Sequence, residues 1–302
     1  MQLSADDLSY LSQCAIRAAT EAGALIASRS TESVAVEHKA GGDTLASQVV
    51  TEVDLLSDAA IIKILQPSCK RYDLALLTEE SSDDHARLQQ DHFWCVDPLD
   101  GTLSFIESLP GYAVSIALVS RAGEPLIGVV YDPVTATLYS AVKGQGVERN
   151  GEPWCHVPSG DTPLLTLISD RTLESRSDFP QLLQRIETMA TQLGFSGVTT
   201  LHNGGAVMSA CWGLEHGPGC YFKLPKTEPG GGSLWDFAAT AALFNEMGAV
   251  ASDFYGQPLE LNRAESTFMN HRGVIFATEQ RVATELMSQL QPFFSNYTPE
   301  IS

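Results

Sequence analysis

Asp97 and Asp100 lie three residues apart in Phe93-Trp94-Cys95-Val96-Asp97-Pro98-Leu99-Asp100-Gly101-Thr102. Phe93 to Val96 reads as a short buried strand that Pro98 should stop at Asp97, and Gly101 permits a tight or positive-φ turn. Both carboxylates can then face one small volume, and Thr102 to Ser108 can begin a short helix. Two carboxylates beside free helix N–H groups form a site able to hold a hard cation and an anion together, which is what phosphate chemistry needs. An Asp-Pro turn followed by an Asx-capped helix explains the same residues without chemistry. Local spacing alone does not choose between the two.

Three further acidic stretches bear on the choice. Thr51-Glu52-Val53-Asp54 opens an amphipathic run read as a helix over residues 51–65, where Thr51 and Asp54 also fit a capping box. Leu74 to Leu77 reads as a strand that delivers Thr78-Glu79-Glu80 at its end. Ser233-Leu234-Trp235-Asp236 precedes an apolar helix that ends at Gly248, and Ser233 with Asp236 is again a capping box. Each stretch taken singly is explained by capping or by solvated charge.

Taken in order, Val50-Thr51-Glu52-Val53-Asp54, Thr78-Glu79-Glu80-Ser81, Asp97-Pro98-Leu99-Asp100-Gly101-Thr102 and Leu234-Trp235-Asp236-Phe237-Ala238-Ala239 resemble the four signatures of the inositol monophosphatase superfamily. Its members are Mg2+-dependent, Li+-sensitive phosphatases, among them the 3'(2'),5'-bisphosphate nucleotidases. The resemblance spans nearly the whole chain. It implies an α+β fold, the layered α-β-α-β-α sandwich of the inositol monophosphatase/fructose bisphosphatase type. It also implies two or three Mg2+ ions held by Glu79, Asp97, Asp100, Asp236 and the Leu99 carbonyl. Asp54 and Thr102 would orient the attacking water, Glu80 would support the ligands from behind, and backbone N–H groups around Gly101-Thr102 would hold the phosphate. Four carboxylates in one cleft repel one another unless hard cations occupy it.

Substrate choice rests on less. The superfamily's inositol phosphatases carry Glu where Tyr221-Phe222-Lys223-Leu224 places Lys223, and a basic residue there resembles the nucleotidases. Adenosine 3',5'-bisphosphate is thus the favoured substrate, with inositol 1-phosphate or a related sugar phosphate as the alternative. Leu103 stands where nucleotidases usually have Lys and weighs the other way. Lys226 and Arg263 are further candidate cations. Asn203 and Gly204, in His202-Asn203-Gly204-Gly205-Ala206, open a helix whose N–H groups could contact a ligand. A non-catalytic binding protein on the same fold should lack an acidic ligand, and none is missing; a calcium module should show a D-x-D-x-D-G loop, and none is present.

Composition limits the remaining possibilities. The 302 residues, 44% of them hydrophobic, suffice for one large domain or two closely packed halves. The polar stretch 150–163 suggests a boundary, giving an α+β half over 1–155 with most metal ligands and an α/β half over 156–302 with Asp236 and the specificity residues. A formal charge of −19 argues against a nucleic-acid polymer as partner but not against a small anion whose charge metal ions meet. No run approaches the roughly 18 apolar residues of a membrane span, and the start lacks signal-peptide character, so the expectation is a cytoplasmic protein with no membrane partner, for which a homodimer is allowed. The six cysteines show no C-x-x-C spacing, and neither zinc nor a disulfide framework is indicated.

The elements that must position these groups follow from periodicity. Residues 4–30 read as an amphipathic helix, 34–47 as a strand and a loop that in the superfamily lies over the active site, and 112–131 as a β-hairpin followed by a strand at 137–142. A strand at 164–169, a helix at 179–193 and a strand at 197–201 give the alternation of an α/β unit.

Overall fold

The structure is a computed structural model that describes residues 2–29, 36–38, 49–155 and 164–294, with backbone alone at 36–38 and 49–51. Helix α1 (Ala5–Arg29) is followed by two short paired strands, β1 (Val36–His38) and β2 (Val49–Thr51), and by α2 (Glu52–Tyr72). The expected loop over the site and the Thr51 side of the first capping box lie outside the described residues.

A seven-stranded sheet comes next, in the order β3 (Ala75–Thr78), β4 (His92–Asp100), β5 (Ala113–Ser120), β6 (Pro125–Asp132), β7 (Thr137–Val142), β8 (Gly146–Arg149) and β9 (Glu152–Pro153). Only the β3–β4 pair is parallel. A five-residue helix, α3 (Thr102–Ile106), follows β4. The second half carries β10 (Leu165–Ile168), α4 (Arg171–Glu174), α5 (Phe179–Gln192), β11 (Val198–Leu201), α6 (Ala206–Glu215), β12 (Gly219–Lys223), α7 (Leu234–Glu246), β13 (Val250–Ser252), β14 (Val274–Ala277) and α8 (Gln280–Leu290). Its sheet runs β11-β10-β12-β14-β13, with β10 parallel to both β11 and β12.

Strands buried on both faces explain the unbroken apolar runs in the sequence. In β4, Trp94 and Val96 enter a core shared with Leu11, Ala15 and Ala22 of α1 and Ile61 and Leu65 of α2, whereas Phe93 and Cys95 enter a second core with Val207 of α6 and Phe237 and Ala238 of α7. Along β12, Tyr221 joins that second core, while Cys220 and Phe222 meet Leu182 and Ile186 of α5 and Leu286 of α8 in a third. Three cores between five layers give the α-β-α-β-α sandwich, with α6 and α7 in the middle layer.

Two elements exceed their expected bounds. The ladder of β4 does not stop at Asp97: Asp97 pairs with Ser115, the register shifts, and Asp100 pairs with Ala113. Pro98 falls in that bulge, where a missing N–H costs no ladder bond. Helix α2 continues through Pro67 to Tyr72 because tertiary burial of Ser68 and Tyr72 outweighs the lost hydrogen bond; Ser68 is fixed by donating to Leu65 O (2.6 Å) and accepting from Trp94 Nε1 (2.9 Å). No helix of the described residues is long and apolar enough to cross a membrane.

Candidate metal-dependent active site

Alternation along β4 puts Asp97 on the same face as Phe93 and Cys95, toward α6 and α7. Gly101 then turns the chain with φ +82°, and a Cβ there would stand 2.6 Å from the Gly111 carbonyl oxygen. Helix α3 starts at once, so the Thr102 hydroxyl sits 3.1 Å from the Leu99 carbonyl and 3.4 Å from Asp54 Oδ1. The Leu99 N–H donates to Asp97 Oδ1 (3.1 Å), fixing that carboxylate within its own bend.

The glycine-rich entry to α6 is occupied by the protein itself. Ala206 N–H donates to Asp100 Oδ1 (3.1 Å) and Val207 N–H to Oδ2 (2.9 Å), so the first free amides of this helix hold a carboxylate of the other half. Gly205 is what allows the approach, since a Cβ there would lie 2.2 Å from Asp100 Oδ2. Asn203 has φ +71° and its carbonyl accepts from Ser104 Oγ (2.6 Å), which places Asn203 and Gly204 beside the acidic site rather than in it.

Asp236 does both things its sequence allows. The Ser233 N–H donates to its Oδ2 (2.5 Å), completing the capping box of α7, and the same carboxylate meets Asp97 and Asp100 with one oxygen of each within 4.8 Å of the others. Burial pushes the Asp97 carboxyl well above the ordinary range, and the Glu79, Asp100, Asp236 and Asp54 charges push it further. Asp100 is raised by burial and by Asp236 despite its two amide donors. Asp236 stays raised by burial although the Ser233 N–H and Lys223 pull it down. Three converging, mutually repelling carboxylates with oxygen donors alone fit a hard divalent cation such as Mg2+.

The remaining expected residues surround this group. Glu79, half-buried, is held at the end of β3 by its N–H to Val96 O (3.1 Å) and acts on Asp97 and Asp100 by charge, but it stands outside the tightest group of three. Glu80 follows it in the turn. Lys223 has a partner that the sequence does not show: its ammonium is 2.9 Å from Asp170 Oδ2, and the register that pairs Ile168 with Tyr221 is what brings the two together. Arg263 pairs with Glu265 (3.1 Å) and Lys226 rests on the Pro229 carbonyl (3.4 Å). Sequence reasoning missed Ser57 and Asp58 on α2, which the i+3 and i+4 spacing from Asp54 could have shown. It also missed Asp170 and the His202–Glu174–Ser169 group, which only the parallel pairing of β10 with its neighbours assembles.

The model of the inositol monophosphatase family matches residues 7–293. The chain belongs to the inositol monophosphatase family. As a member of this family it is a phosphomonoesterase. The Nus factor SuhB of Salmonella typhimurium strain LT2 is 34% identical over 245 residues, covering 80% of this chain and 84% of the relative. The Thermotoga maritima IMPase shares the fold with a TM-score of 0.69 at 22% identity, covering 95% of this chain and 99% of that one. SaIMPase-II, solved with 2'-AMP and with inositol monophosphate, has TM-scores of 0.67 and 0.66 at 18% and 19% identity, and covers 93% and 94% of this chain and 94% and 96% of that one. The family shown by the match is the one that the four acidic signatures resemble.

Proposed function

We propose that the protein is a Mg2+-dependent, Li+-sensitive phosphatase of a small phosphorylated metabolite, and the convergence of Asp97, Asp100 and Asp236 from both halves carries this reading. These three, with Glu79 and the Leu99 carbonyl, would hold two or three Mg2+ ions. Bound Mg2+ supplies Lewis acidity to the phosphate and a lowered pKa to the attacking water. The Thr102 hydroxyl, directed at Asp54, offers its oxygen to a hydrogen of that water and turns the water's lone pair toward phosphorus, while Asp54 keeps Thr102 in that orientation. Glu80 supports Glu79 from the turn, and the amides at Gly101 and Thr102 receive phosphate oxygens. The halves 1–155 and 156–302 thus divide the work, the second closing the cluster with Asp236 and offering Asn203, Gly204 and Lys223 toward the leaving group.

The Lys223–Asp170 pair bears on the substrate. An ammonium already met by a carboxylate attracts a second phosphate weakly, so the geometry supports inositol 1-phosphate or a related sugar phosphate over adenosine 3',5'-bisphosphate. The nucleotide remains the second reading, because a Lys at this position resembles the nucleotidases, and SaIMPase-II on the same fold has been solved with a nucleotide as well as with inositol monophosphate. Phosphate release from inositol 1-phosphate, adenosine 3',5'-bisphosphate and fructose 1,6-bisphosphate, each with and without Mg2+, decides between them. Release from none of the three removes the reading as a small-metabolite phosphatase.

With a charge of −19 we read a protein with no nucleic-acid polymer among its partners. The relatives carry the name Nus factor, so a labelled RNA is the direct check. It should not be retained at physiological salt.

A further inference from the structure

Asp54, Ser57 and Asp58 stand at i, i+3 and i+4 on one face of α2 and are 4%, 0% and 8% exposed. Each reaches a different part of the acidic site. Asp54 meets the Thr102 hydroxyl (3.4 Å), and Ser57 Oγ donates to the Pro98 carbonyl (2.8 Å), inside the bulge that separates Asp97 from Asp100. Asp58 lies against Thr78, the residue before Glu79.

That third contact holds two anomalous atoms. Asp58 Oδ1 and Thr78 Oγ1 are both buried without a hydrogen-bond partner, and Thr78 is only 1% exposed. Leaving such an oxygen unsatisfied is destabilising. A hydrogen bond from the Thr78 hydroxyl to Asp58 would satisfy both and would tie the end of β3 to α2. Burial pushes the Asp58 carboxyl up and so does Glu80, while the Thr78 hydroxyl works against them. The same face continues as Ile61, Ile64 and Leu65 in the next turns, where it packs on the sheet away from the site. Apolar residues would bury at less cost in the first turns too. These three polar residues stand where the helix borders the ligands; farther along, Ser68 is buried as well and accepts from Trp94 Nε1.

We propose that Ser57 and Asp58 are positioning residues for the metal-binding carboxylates, Ser57 by fixing the bulge between Asp97 and Asp100, and Asp58 by fixing, through Thr78, the strand end that delivers Glu79. The Asp58 half rests on the reading of Glu79 as a metal ligand. The face of α2 then acts as a template that sets the spacing of β3, β4 and α3 before any cation arrives.

The test is titration of the metal-free protein with Mn2+, followed by loss of the free-ion electron paramagnetic resonance signal, with the metal-free melting temperature recorded for every variant. Glu79→Gln should weaken binding or remove one equivalent. Asp58→Ala, Thr78→Val and Ser57→Ala should each raise the dissociation constant about tenfold, the loss expected of groups that orient ligands. Asp58→Ala and Thr78→Val should not add in the double variant, because they break one contact. Asp58→Asn keeps a hydrogen-bonding side chain and should return binding to within about threefold of wild type. Thr78→Val, close to isosteric, serves if Asp58→Ala does not fold. Lower melting temperatures with unchanged Mn2+ binding in Asp58→Ala, Thr78→Val and Ser57→Ala, beside a loss in Glu79→Gln, overturn the proposal. Unchanged binding in Glu79→Gln itself removes Glu79 as a ligand and the Asp58 half with it.

Discussion

Two charged regions meet in the middle layer. At the acidic cluster Asp97, Asp100 and Asp236 bring like charges together, and all three carboxyls are pushed up, first by burial. At the adjoining ends of β10, β11 and β12 the charges come as opposites, Lys223 with Asp170 and Arg171 with Glu107, and the His202 ring lies against Glu174. Asp170 is partly buried too, and burial raises it, yet Lys223 and the Leu173 amide bring it below the ordinary range. Partners rather than burial set the sign. The first region gathers like charges that a cation could meet, whereas in the second each charge already has its partner.

The largest effect expected from this contrast is loss of turnover when the cation is withdrawn. Excess chelator should abolish phosphate release and Mg2+ should restore it, with Li+ inhibiting; full turnover in chelator would mean that the cluster needs no ion. Next, Asp97→Asn and Asp236→Asn should each lower kcat by about a thousandfold or more, the several kcal/mol that metal charge stabilisation supplies. Their metal-free melting temperatures should hold or rise, because each removes a repelling charge and an Asn at 236 still accepts from Ser233. Wild-type kcat would reduce Asp236 to a helix cap, or Asp97 to the acceptor within its own bend. Lys223→Ala should behave in the opposite manner, leaving Asp170 partly buried and unpaired at a cost near the low end of about 3–5 kcal/mol, read from denaturant unfolding.

The pH response separates the regions again. Asp97, Asp100 and Asp236 have folded-state pKa values raised above those of the unfolded chain, so their contribution to stability is fully present below about pH 4 and is lost as pH rises through the folded values. The metal-free protein should therefore lose melting temperature to these groups on going from acid toward neutral pH. The gain on adding Mg2+ should grow over the same window as cations displace protons. Melting curves from about pH 5 to about pH 8, with and without Mg2+, check this in wild type and Asp97→Asn. Identical slopes in the two metal-free proteins would rule out Asp97 as a source of the dependence.

What could be read from the sequence follows the same division. Asp97, Asp100 and Asp236 stand out in the sequence because residue type, breakers and order along the chain all point to them; the structure brings the three together, and Asp236 also forms its capping box. The strand limit at Asp97 was wrong because a bulge absorbs Pro98, which local propensity does not show. No element is read from the sequence after residue 248; there β14 is fixed by pairing with β12, β13 by pairing with β14, and α8 by packing on α5. Lys223 was read as a free cation since its neutralising partner lies 53 positions away in sequence and is brought beside it only by strand register.

The smallest expected effect decides what the Lys223 ammonium does. Asp170→Asn removes the opposing charge but keeps an oxygen to accept from the Leu173 N–H (2.8 Å), so α4 retains its cap. Lys223 then keeps its charge beside Asp236 with no carboxylate at 2.9 Å to neutralise it. If it faces the leaving group, the ratio of kcat/KM for adenosine 3',5'-bisphosphate to that for inositol 1-phosphate should rise about threefold to tenfold, on the order of 1 kcal/mol for a charge pair in a partly exposed cleft. Damage to the metal cluster would lower both activities together and leave the ratio alone, so the comparison isolates the ammonium. A ratio unchanged from wild type would show that Lys223 and Asp170 hold β10 to β12 and do not meet the substrate.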